Sequence, residues 1–193
     1  MKNRDLFFRH VRESVFGGHM THGQADGLTQ ILDYQEKNFP DFSPAQLAYS
    51  LATMTWETAR TMQPIEEIGK GRGKAYGHPT GKWHLVYDGR GDVQLTWIDN
   101  YIFADKRLHE LGLLKPEEDL VKNPELAMRP DVSVAIMLVG MTEGWFTKKK
   151  LSDYIHDDVC DYVHARRIIN GNDRAQQIAA IAVSYRHALQ EAA

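Results

Sequence analysis

Only one cysteine, Cys160, occurs in the chain, which excludes an internal disulfide and suits a protein that folds in reducing surroundings. No apolar run approaches the roughly 20 residues that a membrane-crossing helix requires. The longest, Val134 to Val139, reads as a buried helix segment. The N-terminal stretch from Met1 to Phe16 is interrupted by Lys2, Arg4, Asp5, Arg9, Arg12 and Glu13, so no signal peptide is expected there. Net positive charge is lacking as well: a formal net charge of −3 removes the general electrostatic pull of a nucleic-acid binder. Only local cation clusters, Lys70, Arg72 and Lys74 with Lys148, Lys149 and Lys150, remain to meet an anionic polymer. Repeats, low-complexity tracts and linkers are missing, so residues 1–193 are expected to form a single domain. The glycines and cations between Gly69 and Lys82 satisfy neither a Walker nor a dinucleotide pattern. His19 and His22 lack an acidic third ligand at zinc spacing, so no metal site is expected there.

What the sequence does contain is helical periodicity. Arg4 to Phe16 reads as a helix closed by Gly17 and Gly18, and Gln24 to Asn38 as a second that stops before Pro40. Ser43 offers an N-cap with Pro44 at the first helical position and Gln46 at the third, opening a helix that runs to about Arg60. Thr96 with Asp99 is expected to cap another through Leu111, and Pro130 to begin one that ends near Gly144. Asp158 to Ile169 and Asp173 to Glu191 complete the set, separated by Asn170-Gly171. Between Met62 and Asp92 the pattern is lost among many glycines, which predicts a long irregular segment. The fold class is therefore mostly α, a helical domain with one long loop lobe.

Three glutamates carry chemical interest. On the Pro44 helix, Leu47, Leu51, Met54 and Thr58 form a core-facing stripe, and Glu57 lies beside it in the last turn, in line with Ser50 and Thr53. The negative helix end and partial desolvation both disfavour its charged form, so a raised pKa is expected. Glu66 and Glu67 instead precede Lys70, Arg72 and Lys74, whose cations favour ionisation. An acid near a charged carboxylate is what glycosidic hydrolysis needs. Taken alone, however, a helix glutamate and a solvated glutamate pair are the commoner readings.

More specific is the run Tyr87-Asp88-Gly89-Arg90-Gly91-Asp92-Val93-Gln94-Leu95-Thr96-Trp97, followed by Asn100-Tyr101. It resembles the signature of the family 19 glycoside hydrolases, the plant-type chitinases and many phage endolysins. Trp56-Glu57-Thr58-Ala59-Arg60, Met62-Gln63-Pro64-Ile65-Glu66-Glu67 and Arg167-Ile168-Ile169-Asn170-Gly171 look like the phage branch. The resemblance implies a lysozyme-like helical domain whose loop lobe lies beside an active-site cleft, and inverting hydrolysis of β-1,4 bonds between N-acetylated sugars without metal or cofactor. By position in the motifs, Glu57 matches the general acid and Glu66 the second carboxylate, with Glu67 left as an alternative because plant chitinases place that residue farther along. Tyr87, Arg90, Gln94, Thr96, Asn100, Tyr101 and Asn170 match substrate-contacting positions. Gly89 and Gly91 would allow close backbone approach, while Trp97 reads as a core residue.

The function this implies is that of a phage-type endolysin acting on peptidoglycan glycan strands as a monomer, with no nucleic-acid partner, no stable membrane insertion and no separate wall-binding module. Such an enzyme would collect in host cytoplasm and reach the wall through a holin-type pore. A chitinase on the same fold, a lytic transglycosylase and a non-catalytic wall-binding module are the alternatives.

Overall fold

The computed structural model describes residues 1–193, which group into two compact units: Met1–Met62 with Leu138–Ala193, and Gln63–Met137. In the first unit, α1 (Arg4–Ser14) starts where the Asn3 side chain accepts from the Leu6 N–H, and buries Phe7 and Val11. A reciprocal Thr21–Gln24 capping box opens α2 (His22–Asn38), whose buried face is Leu28, Ile31, Leu32 and Gln35. Gly27 sits on the same helix because the Met62 carbonyl crosses it so closely that a Cβ would lie 1.8 Å from that oxygen.

At the centre of this unit is α3 (Pro44–Glu57), capped by the Ser43–Gln46 box with Pro44 in its first turn. Every residue from Ala45 to Thr55 is buried except Gln46, so α3 has no solvent face, and its run of Ala48, Ser50 and Ala52 lets a neighbour approach closely. That neighbour is α6 (Ala175–Glu191), also alanine-rich, which meets α3 through a 2.8 Å hydrogen bond between the Thr55 and Tyr185 hydroxyls and packs Tyr185 against Phe7 of α1. Thr58 ends α3 by folding its hydroxyl back onto the Met54 carbonyl.

The second unit contains β1 (Ile65–Glu66) and β2 (Arg90–Gly91), paired antiparallel with Ile65 opposite Gly91 and Glu66 opposite Arg90. After it come α4 (Ile98–Glu110) and a 3₁₀ turn at Pro124–Met128. Helix α5 (Pro130–Glu143) begins in this unit and is apolar all round, as the run from Val134 to Val139 implied. No helix is long and apolar enough to cross a membrane.

Two expected elements differ. The helix expected from Asp158 to Ile169 is replaced by a short hairpin, β3 (Ile155–His156) with β4 (Val159–Cys160), and a 3₁₀ turn at His164–Ile168. The two aspartates between the strands favour a turn, and Asp157 adopts the left-handed backbone there. Thr96 does not cap α4: Trp97 holds that position with φ +70°, and no side chain caps the helix.

Candidate functional site

Glu57 is the last residue of α3, with its side chain 16% exposed. The Arg166 guanidinium donates from Nη1 to Glu57 Oε1, and that arginine is itself buried, with Nε donating to the Asp173 carbonyl at 3.0 Å. The sequence reading weighed only the helix end and desolvation for Glu57. It missed this buried counter-charge, which arrives from the 3₁₀ turn His164–Ile168. The Arg166 carbonyl also accepts from the Asn170 N–H at 3.0 Å, leaving the Asn170 residue exposed at the end of the same turn. One and two helical turns before Glu57 lie Thr53 and Tyr49, both buried. Burial pushes the Tyr49 phenol above its ordinary range, opposed by the Arg166 cation.

The second unit holds the other carboxylates around Arg90. Glu66, across the strand pair from Arg90, takes Lys70 Nζ at 2.8 Å and Arg90 Nη2 at 3.2 Å. Arg90, with only 6% of its side chain exposed, also pairs with Asp88 at 2.8 Å and with Glu125 at 3.3 Å. Asp88 has no exposed side-chain surface, and burial pushes its carboxyl up against the opposing pull of Arg90. The expectation that cations surround Glu66 is met by Lys70, but its second cation is Arg90, from the motif and not from the lysine-rich loop. Glu67 is held differently: Tyr76 Oη donates to Oε1 at 2.9 Å and the Gly89 N–H to Oε2 at 3.3 Å. Glu66 is thus paired to two cations, and Glu67 is a hydrogen-bonded clip between the glycine-rich loop and the motif turn.

The remaining motif residues divide. Tyr87 and Tyr101, expected to contact sugar, have no exposed surface and are corrected to core residues: Tyr87 donates to the Val121 carbonyl at 2.7 Å, and Tyr101 to the Asp88 carbonyl at 3.1 Å. Arg90 likewise serves the carboxylates of its own unit. Gln94, in a left-handed conformation, directs its amide nitrogen at the Ile65 and Gly91 carbonyls (3.0 and 3.3 Å), bracing β1 against the turn. Gly89 and Gly91 make room for the chain itself: a Cβ at Gly89 would lie 2.7 Å from Gln94 Oε1, and one at Gly91 2.9 Å from both the Ala127 carbonyl and Ser133 Oγ. Thr96 is half-buried, its carbonyl accepting from Asn100 Nδ2 at 2.8 Å, and Asn100 is exposed. Trp97, expected in the core, is 48% exposed.

Asp92, inside the motif run, is completely buried, and desolvation pushes its carboxyl up to about 7. A folded-state value above the unfolded one means that the native state holds the proton more tightly. Stability is therefore fully present below about pH 4 and is lost as pH rises to about 7. Asp92→Asn, which imitates the protonated acid, is expected to leave the thermal midpoint unchanged near pH 4 and to raise it near pH 8, by up to about 4 kcal/mol of stability. Equal midpoints for the two proteins across that range would contradict the assignment.

No protein-family model matches the chain, and no curated protein matches it in sequence. Among solved structures, the chain is similar to the crystal structure of chitinase C from Streptomyces griseus, with a TM-score of 0.59 and 20% identity over 98% of this chain and 75% of that one. A glutamate-to-glutamine mutant of chitinase C aligns with a TM-score of 0.43 and 18% identity over 90% of each chain. The first likeness establishes that the chain shares the mostly α fold of chitinase C.

Proposed function

We propose that the chain is a family 19 glycoside hydrolase that cleaves β-1,4 bonds between N-acetylated sugars of peptidoglycan, with Glu57 as proton donor and Glu66 as the carboxylate that activates water. The observation that carries this reading is Glu57 itself, a partly desolvated carboxyl closing the central helix, with one oxygen held by a buried arginine. In the proposed reaction Arg166 fixes Oε1 and leaves Oε2 to deliver the proton to the glycosidic oxygen. Glu66, paired with Lys70 and Arg90, takes a proton from the attacking water, and the anomeric configuration inverts. The exposed Asn100 and Asn170 and the half-buried Thr96 have polar side chains to offer the N-acetyl and hydroxyl groups of the glycan. The reading further places the protein as a monomeric endolysin, a single catalytic domain that accumulates in host cytoplasm and reaches the wall through a holin-type pore. Chitin is the second substrate, favoured by the fold likeness to chitinase C.

The test is digestion of purified peptidoglycan and of chitin, with mass analysis of the new chain ends and early-time anomer analysis. Hydrolysed reducing ends of inverted configuration are expected. Anhydro termini would replace hydrolysis by transglycosylation, and binding to the wall without any cleavage would leave only a binding module. Glu66→Gln is expected to lower the rate by about 10²-fold or more, while Glu67→Gln retains most of it. The reverse order would exchange their roles.

A further inference from the structure

The motif turn presents one large aromatic to solvent, and the proposed reaction does not use it. Trp97 adopts a backbone with φ +70°, a conformation that strains a bulky residue and that glycine would take more easily. The turn nevertheless fixes it there. Its N–H donates to the Tyr87 carbonyl at 2.9 Å, and its own carbonyl accepts the Asn100 and Tyr101 N–H groups at 3.1 and 3.2 Å. The ring meets Tyr76 in a T-shaped contact at 5.3 Å and 72°, and Tyr76 is anchored through its hydroxyl to Glu67. The indole is therefore both half-exposed and braced, where an unused surface tryptophan would be neither strained into place nor buttressed.

Its surroundings define a ligand. Asn100 is exposed three residues on, in the first turn of α4, and the Thr96 hydroxyl is released from the capping role that its sequence suggests. An aromatic surface beside an amide and a hydroxyl, with Glu67 already engaged by Tyr76 and Gly89, suits a neutral, N-acetylated sugar ring: the apolar C–H face lies on the indole and the acetamido group meets the polar side chains. Trp83 provides the contrast. It is 42% exposed, yet Lys82 and Lys122 sit over its ring at 4.9 and 5.5 Å, so cations occupy the surface that a sugar would need.

We propose that Trp97, buttressed edge-on by Tyr76, is a stacking platform for one sugar ring of the bound glycan. This rests on the glycosidase reading, and the experiment separates the two. In a Glu57→Gln background, which holds ligand without turnover, an N-acetylglucosamine tetrasaccharide is titrated by calorimetry into the parent, Trp97→Ala, Trp97→Phe and Trp83→Ala, with thermal midpoints measured alongside. Trp97→Ala is expected to weaken binding about three- to tenfold with an unchanged midpoint, Trp97→Phe to recover most of it, and Trp83→Ala to match the parent. In the active enzyme the same loss appears in KM while kcat stays near its original value. Binding by the parent that Trp97→Ala leaves intact overturns the platform alone, as does a loss shared equally by Trp83→Ala or accompanied by unfolding. A parent that binds no oligosaccharide overturns the glycan reading and the platform with it.

Discussion

Glu57→Gln is expected to reduce glycan hydrolysis by roughly 10²–10⁴-fold with a smaller loss of stability than Glu57→Ala suffers. The amide keeps the shape of the acid and keeps an oxygen to accept from Arg166, so the packing at the end of α3 is preserved, but it has no acidic proton to give to the leaving oxygen. Glu57→Ala separates the two duties of this side chain. It removes the same proton and also the oxygen to which Arg166, only 4% exposed, donates, leaving that buried cation with neither counter-charge nor acceptor, a change that costs about 3–5 kcal/mol in comparable pairs. Equal loss of rate in the two variants, with the larger loss of stability in the alanine one, is the pattern that assigns Glu57 to proton transfer. A normal rate for Glu57→Gln would remove the proposed acid.

The parts of the molecule that the sequence announced are those written in local chemistry. The Ser43–Gln46 box, the proline after it and the glycines beyond α1 act within a few residues, and α3 starts where they place it. The glycine-rich stretch after Met62 was legible as irregular because only turns and two-residue strands can use such a sequence. What escaped the reading acts at a distance. Arg166 is 109 residues from Glu57, and nothing near either residue signals the pair. The sequence leaves Glu66 and Glu67 equivalent neighbours, and only the register of β1 against β2 sets Glu66 opposite Arg90. Tyr87, Tyr101 and Trp97 are equally aromatic in a motif, but the fold sorts them: two turn inward onto backbone carbonyls of their own unit, and the third is held outward by a backbone angle that no pattern of apolar residues encodes. Asp158 to Ile169 was misread because a helical spacing of apolar residues outweighed the turn propensity of Asp157 and Asp158.

Arg90→Ala is expected to destabilise the protein by about 3–5 kcal/mol, a large share of the stability of a domain this size, because it leaves charges behind in a place they cannot leave. Asp88 has no solvent contact, and desolvation already works against its charged form even with the guanidinium beside it. Glu66 would keep Lys70, an exposed partner screened by solvent, whereas Glu125 is exposed and loses little. The cost should therefore fall mainly on Asp88, and this can be separated from simple loss of arginine packing. Asp88→Asn in the Arg90→Ala background removes the stranded charge and is expected to restore part of the stability, although alone it weakens the protein by taking a partner from Arg90. Urea unfolding of the two single variants and the double variant measures that coupling. If the double variant loses the sum of the two single losses, Arg90 and Asp88 act independently and the buried pair is not what holds the motif turn. If the coupling is present, hydrolysis by the double variant should remain well below the original, since Glu66 would still lack the cation that faces it across the strands.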